Sequence, residues 1–413
     1  MNYVLVGNSA AGLFAAESIR QQDPRAEITV LTADAYPFYS RCLTTYFLAG
    51  DIPKVQLFLR SPEDLQALRL RVHYSCTVTG LDPVQHLIHT IAGEHYPYDK
   101  CLIATGASAV PLDIPGSTLP EVFTLRHLDD AQRIKAQLAP KRQAVMIGGG
   151  LVSLKSAYAL LKQGLNVSVI VSSGQILSQM LNGEAANLLQ EHLVSHGLNI
   201  ILHQDVTAIE GTGCVQGVRL RSGRTLPADL VIVGKGVRPN IQPFLASGLA
   251  IRQGILVNEH LETNLQDVYA AGDVAEAWDH LHQTHRLNPI WPNATTQGRT
   301  AGANMSGLAL TYPGSMGMNA VDFFGLRIIS AGIVNPPTTS SWHVDDIYRR
   351  DALGHPRYQR LVWQGEKLKG FVLLGDTERA GLITALIQSG QPLSTDVRKV
   401  LWSGKRSSIR LVL

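Results

Sequence analysis

The stretch Tyr3-Val4-Leu5-Val6-Gly7-Asn8-Ser9-Ala10-Ala11-Gly12 decides the fold of this 413-residue chain. Four successive apolar residues predict a buried strand. Gly7 permits a tight turn, and the Ala-rich run from Leu13 to Arg20 predicts a helix. The start of a helix offers unpaired N–H groups and the positive end of its dipole to a pyrophosphate. Ser9 stands where a second Gly normally lets the backbone approach that group, and Ser is small enough to be tolerated there. Gly12 lets helix and strand pack closely, and Ala10 and Ala11 complete the small-residue cradle. Ile28-Thr29-Val30-Leu31 predicts the next strand. Asp34 follows it at about the 20-residue spacing at which a carboxylate meets an adenosine ribose.

A second copy carries the weight that one fingerprint lacks. Ala144-Val145-Met146-Ile147-Gly148-Gly149-Gly150-Leu151-Val152-Ser153 again reads as strand, turn and helix, and Asn166 to Val171 supplies its next strand. One chain with two such units is expected to hold two dinucleotides, or a flavin and a nicotinamide.

Working outward, the chain is long enough for about three domains. Hydrophobic residues make up 45% and charged residues 17%, so each domain can bury a core. A net charge of +3 is too mild for a nucleic-acid binder that relies on phosphate contacts. No apolar run approaches the roughly 18 residues of a membrane span, and no leader pattern opens the chain, so a cytoplasmic location is expected. The cysteines Cys42, Cys76, Cys101 and Cys214 form no CxxC. They suggest no disulfide framework and no metal or iron–sulfur site, so any iron centre used in the chemistry belongs to another protein.

Further motifs resemble the FAD-dependent pyridine nucleotide oxidoreductases. Leu102-Ile103-Ala104-Thr105-Gly106-Ala107 is similar to their ATGA crossover between domains. Gly234-Lys235-Gly236-Val237-Arg238-Pro239-Asn240 is similar to their G-x-R-P-N, and Thr263 to Asp273, ending Val268-Tyr269-Ala270-Ala271-Gly272-Asp273, to their second FAD motif. Tyr39-Ser40-Arg41-Cys42-Leu43, Trp291-Pro292-Asn293-Ala294 with Gln297-Gly298, and Leu373 to Gly381 resemble rubredoxin reductases and the flavoprotein part of nitrite reductases. The resemblance implies an α/β protein with two Rossmann-like dinucleotide-binding domains and a C-terminal α+β interface domain. The FAD domain is split, over 1–110 and 240–318. It is interrupted by an NAD(P) domain over 111–239 and followed by the interface domain over 319–413, which implies a homodimer. Asp113-Ile114-Pro115-Gly116 and Pro239-Asn240 are the expected crossover points.

The resemblance also implies roles. Arg41 holds the FAD pyrophosphate, Asp34 the ribose and Asp273 the ribitol chain. The helix expected to begin near Asn293 or Ala294 aims its N-terminus at the flavin N1/O2 edge. Trp291 packs beside the ring, or is a large core residue. Lys155 replaces the family's Glu after the second glycine turn. Our reading puts it near flavin N5, with a carboxylate partner or an electrostatic role toward reduced FAD, against a Lys that snorkels to water. Ser153 replaces a Gly, which is expected only to loosen packing. Val171 stands where a Glu would bind the NAD 2′-hydroxyl, and no Arg or Lys follows in Ser172-Ser173-Gly174-Gln175. Ser172 or Ser173 is left with weaker duties, which favours NAD(H) and leaves NADP(H) open. Cys42 falls close to where disulfide reductases of this superfamily place a redox cysteine facing the flavin, while the surrounding Tyr39-Ser40-Arg41 and Ala49-Gly50 resemble relatives with an ordinary apolar residue there. His280, His282 and His285 form an H-x-H-x-x-H in a polar connection, with no metal expected.

The expected activity is hydride transfer between NAD(P)H and FAD, with electrons exchanged with a small iron protein, rubredoxin or ferredoxin-like. Two alternatives stand beside it: disulfide or peroxide reduction through Cys42, and a non-enzymatic FAD electron-transfer subunit with a defunct nicotinamide site.

Overall fold

The computed structural model describes residues 1–140 and 142–403. Lys141 and the last ten residues of the expected third domain lie outside the described residues.

The opening strand, Asn2–Val6, lies between Glu27–Leu31 and Lys100–Ile103, all parallel. The full order is Val268–Ala270, Lys100–Ile103, Asn2–Val6, Glu27–Leu31, Leu70–His73. Val4, Leu5 and Val6 are buried, as central strands covered on both faces require. Because Val268–Ala270 returns after the whole middle of the chain, this sheet is assembled from both sides of the intervening unit. Helix Ala10–Gln22 covers it, and helix Trp291–Met305 packs on that helix.

The middle of the chain repeats the plan. Its parallel sheet runs Asn199–Ile201, Asn166–Ile170, Gln143–Ile147, Leu230–Val233, Val122–Thr124. The chain passes between the two sheets through an antiparallel ribbon, Ala107–Ala109 against Val237–Pro239. Thr105 Oγ1 donates to Asn240 O at 3.0 Å, and Asn240 Nδ2 returns a bond to Thr105 O at 2.9 Å. This ribbon lies a few residues before Asp113-Ile114-Pro115-Gly116, a turn that is itself tied to the middle unit by Ile209 N donating to Pro115 O at 2.8 Å.

From Met318 the sheet is antiparallel, in the order Met318–Phe323, Leu326–Gly332, Lys367–Leu374, Pro356–Gln364, Trp342–Arg350. Helix Ala380–Ser389 buries Ala380, Ile383, Leu386 and Ile387 over it and ends at Gly390 in the left-handed region. One apolar core runs through all three parts, from Phe47 and Leu48 through Leu154 and Ala157 to Phe323 and Tyr358. Helix Trp291–Met305 starts two residues before the expected Asn293, because Pro292 suits a first turn whose N–H groups have no helical partner. Among the described residues, no helix is long and apolar enough to cross a membrane.

Candidate dinucleotide sites

At the first turn, Gly7 takes φ +120, and a Cβ at Gly12 would lie 2.0 Å from Gly7 O. Backbone meets backbone here, and only Gly fits. Ser9 is the N-cap of the first helix, yet its side chain makes no capping bond and the first turn holds no acidic residue. The leading N–H groups stay available to an anion. Asn8, which the sequence reading passed over, is buried and ties the turn to the next loop. Its Nδ2 donates to Tyr36 O at 2.8 Å, and its Oδ1 accepts from Thr32 Oγ1 at 2.9 Å.

That loop carries Asp34 and Arg41. Arg41 Nη2 donates to Asp34 at 2.6 Å, and the guanidinium lies 5.0 Å from the centroid of the Tyr39 ring. Burial alone would raise the Asp34 carboxyl; the hydrogen bond and charge of His127, with the charge of Arg41, overcome it and hold the group below its usual value. The other Arg41 nitrogen, Nη1, is buried without a hydrogen-bond partner. A buried, unpaired guanidinium N–H costs more than an ordinary unmade bond, and it fits a phosphate oxygen supplied from outside the chain.

Asp273 follows the strand Val268–Ala270 through Gly272. Gln297 Oε1 accepts from Gly272 N at 2.7 Å, and Ala294 lies against Gly272, so the start of helix Trp291–Met305 abuts this turn. Trp291 is half-buried against the first core. Asp273 pairs with Arg126 Nη2 at 2.6 Å, while Arg126 Nε donates to Ala107 O at 2.9 Å. Gly106 lies beneath that guanidinium, next to Ala104 and Thr105 at the head of the crossover. Arg126 escaped the sequence reading because it belongs to no motif; tertiary structure alone brings it to Asp273.

Cys42 stands among these groups. Its side chain is reachable by solvent, yet burial among protein atoms, and then the Asp273 charge, raise its thiol pKa against the opposing pull of Arg126 and Arg41. The charges of Asp273, Arg126 and Arg41 all bear on this thiol, so the four residues are neighbours. A raised pKa keeps the thiol protonated, the opposite of a reactive thiolate.

At the second turn, Gly150 caps helix Leu151–Lys162 without a side-chain bond, and open space surrounds its Cα. Val152 is exposed beside it, and Gly148 turns with φ +118. These features fit a second diphosphate. Ser153 does not loosen the packing: it is fully buried, and its Oγ donates to Gly234 O at 3.4 Å, where Gly234 has no side chain to obstruct it. Gly236 takes φ +91 beyond the sheet, and Ser172 is exposed at the rim.

Lys155 does not reach water. It is 6% exposed, and its ammonium lies 4.3 Å from the centroid of Tyr46, 4.8 Å from Tyr158 and 5.4 Å from Phe323. Nζ donates to Asp322 O at 3.3 Å. Burial, opposed by the charges of Asp322 and Asp51, holds its pKa below the usual Lys value. The expected carboxylate partner is replaced by three ring faces and one carbonyl, since no ion pair among the described residues involves Lys155. Burial, and then the charge of Asp322, raise the Tyr46 hydroxyl, and the Cys42 charge adds to this, so the cage ring neighbours Cys42. His280 and His285 bond the carbonyls of Ser315 and Val257, and His282 pairs with Asp279. Among the described residues, no group of three or more His, Cys, Asp or Glu gathers as a metal site.

Two parallel sheets, each opening on a glycine turn at the start of a helix, give this one chain two dinucleotide-binding folds. The chain belongs to the pyridine nucleotide-disulphide oxidoreductase family, whose model matches residues 1–298. Residues 318–391 match the rubredoxin NAD+ reductase C-terminal domain. The chain is an FAD-dependent NAD(P)H oxidoreductase. It is similar to the NADH-dependent phenylglyoxylate dehydrogenase subunit epsilon of Aromatoleum evansii, 33% identical over 81% of this chain and 80% of that one. It is also 30% identical to rubredoxin-NAD(+) reductase of Pseudomonas putida, over 76% and 82% of the two chains. The structure of an NAD-dependent persulfide reductase from A. fulgidus superposes with a TM-score of 0.87 and 26% identity, covering 95% of this chain and 77% of that one.

Proposed function

We propose that this enzyme exchanges electrons between NAD(P)H and a small iron protein, rubredoxin or ferredoxin-like, by way of FAD. The single observation that carries the reading is the solitary Cys42. It stands beside Arg41, Arg126 and Asp273 with a raised thiol pKa, and all four cysteines are free. The chain thus has no dithiol of its own to take electrons at that place, which directs them to an external acceptor. The match of residues 318–391 to a rubredoxin reductase domain supports the same partner class. Free thiols favour the cytoplasm as its compartment. The split FAD domain over 1–110 and 240–318, the nicotinamide domain over 111–239 and a homodimer formed through 319–413 belong to this reading.

The residues divide the work. The N–H groups that open the first helix, with Ser9 to Gly12, and the free Arg41 Nη1 hold the FAD diphosphate. Asp34 receives the ribose and anchors Arg41. Asp273, oriented by Arg126 and by Gln297 through Gly272, receives the ribitol chain. Trp291 and Ala294 bring the start of their helix to the same turn, where its dipole favours negative charge. Ala104, Thr105 and Gly106 form the opposite wall. The second turn, Gly148 to Val152, holds the nicotinamide dinucleotide, with Gly236 and Ser172 at its rim. Lys155 acts as a positioning residue whose charge favours the reduced flavin across Tyr46. Bound flavin supplies the chemistry: it accepts a hydride from a reduced pyridine nucleotide and releases electrons singly.

The test is anaerobic mixing of the holoprotein with NADH or NADPH, followed by addition of rubredoxin or a small ferredoxin. Bleaching of the flavin and then reduction of the iron protein is the expected result. A flavin that neither nucleotide bleaches overturns the reading.

A further inference from the structure

The adenosine end of the second dinucleotide fold lacks its usual arbiter. In such folds an acidic side chain about 20 residues past the turn bonds the ribose 2′-hydroxyl, whereas an Arg nearby accommodates a 2′-phosphate. Here Val171 is buried, with its side chain over Gly149: a Cβ at Gly149 would lie 2.7 Å from Val171 Cγ1. The exposed Ser172-Ser173-Gly174 follows, and Leu177 N pins this loop to the phosphate turn by donating to Gly149 O at 2.8 Å.

A group from about 30 residues further on fills the gap. The His203 imidazole lies against Gly174, so that a Cβ there would meet Cε1 at 2.5 Å and Nε2 at 2.9 Å. His203 is held in the left-handed region at φ +57, a conformation that side chains adopt at a cost and that clusters at ligand sites. Its N–H donates to Ser173 O at 3.2 Å, and Gln204 N donates to Val171 O at 3.1 Å. Among the described residues neither ring nitrogen has a hydrogen-bond partner, and the side chain is exposed. The nearest acid in sequence, Asp205, is occupied by Lys235 at 3.3 Å and Arg221 at 2.9 Å.

We infer that His203 determines pyridine-nucleotide specificity, and that this enzyme accepts NADPH as well as NADH. This rests on the NAD(P)H oxidoreductase reading and deepens it. Without a carboxylate at 171 nothing repels a 2′-phosphate, and Asp205 is already neutralised. An imidazole N–H can donate to a ribose hydroxyl and makes a stronger, charge-assisted bond to a phosphate oxygen.

The experiment compares NAD+ and NADP+ binding by calorimetry, and kcat/KM for NADH and NADPH with ferricyanide as acceptor, in the holoenzyme and in His203→Glu and His203→Ala. The wild type is expected to bind the two nucleotides within about 30-fold of each other, and His203→Glu to weaken NADP+ by about 30-fold with NAD+ changed less than about 3-fold. His203→Ala is expected to weaken NADP+ by about 10-fold, as loss of one charge-assisted bond does. If both variants keep the wild-type ratio while NADH still bleaches the flavin, the assignment of His203 is overturned and the oxidoreductase reading stands. If neither nucleotide binds or bleaches the flavin, both fall.

Discussion

Arg126 Nη2 lies 2.6 Å from an Asp273 carboxylate oxygen, although 147 residues separate the two in sequence. The pair joins the second unit of the chain to the closing turn of the first, beside Cys42. Asp273 is thereby fixed in direction before any ligand arrives, which lowers the ordering cost of binding.

Arg126→Gln should accordingly loosen Asp273 without emptying the core. FAD affinity is expected to fall by about 10-fold, the weight of one charge-assisted bond, and Arg126→Lys is expected to recover part of it. Flavin retention through gel filtration, read from visible absorbance relative to protein absorbance, measures this. Full retention in Arg126→Gln would refute a role for the pair in cofactor binding.

Arg41 makes a sharper case, because its unpaired Nη1 has no other use in the described structure. Arg41→Met should weaken FAD by about 10- to 100-fold, since a charged hydrogen bond contributes about 1.5–3 kcal/mol. Arg41→Lys should do little better, since an ammonium cannot hold Asp34 and a phosphate in one fork. Equilibrium binding of FAD to the stripped protein is the measurement; an unchanged affinity in Arg41→Met removes Arg41 from the site.

Lys155 carries a pH signature. Burial, opposed by the charges of Asp322 and Asp51, holds its folded pKa below the usual Lys value. The folded protein therefore loses this proton at lower pH than the unfolded chain. Stability from this group is absent below the folded value and is gained as pH rises toward about 10.4. The melting temperature of the wild type minus that of Lys155→Met should thus grow between pH 8 and pH 10. A constant difference would contradict the cage. The same variant should lower the flavin midpoint potential if the charge acts across Tyr46, and leave it unchanged if Lys155 only joins domains.

Cys42 should be dispensable. Because its thiol pKa is raised by burial and by Asp273, the thiolate is scarce at neutral pH, and alkylation by iodoacetamide should accelerate only as pH rises past the ordinary thiol range near 8.5. Cys42→Ser is expected to keep NADH-driven reduction of an iron protein within about 3-fold of wild type. A loss of activity beyond about 100-fold would move the reading to a disulfide reductase.

The two glycine turns were legible because the information is local. A strand of four apolar residues, a Gly at the bend and small residues at the helix start are each required by geometry within ten positions. Their pairing into two parallel sheets follows. Short motifs also marked Arg41 and Asp273 as candidates, whose roles toward FAD belong to the proposal above. Ser153 was misjudged: whether a hydroxymethyl group loosens a contact depends on what faces it, and Gly234, far along the chain, makes room.

By itself, then, the amino-acid order determined that this protein holds two dinucleotides, because phosphate cradles are built from consecutive backbone N–H groups. Only tertiary structure decided who attends them: Arg126 on Asp273, three rings around Lys155, and His203 against Gly174. Those partners come from distant segments, and side-chain contacts between distant segments are set by packing, which no local pattern encodes.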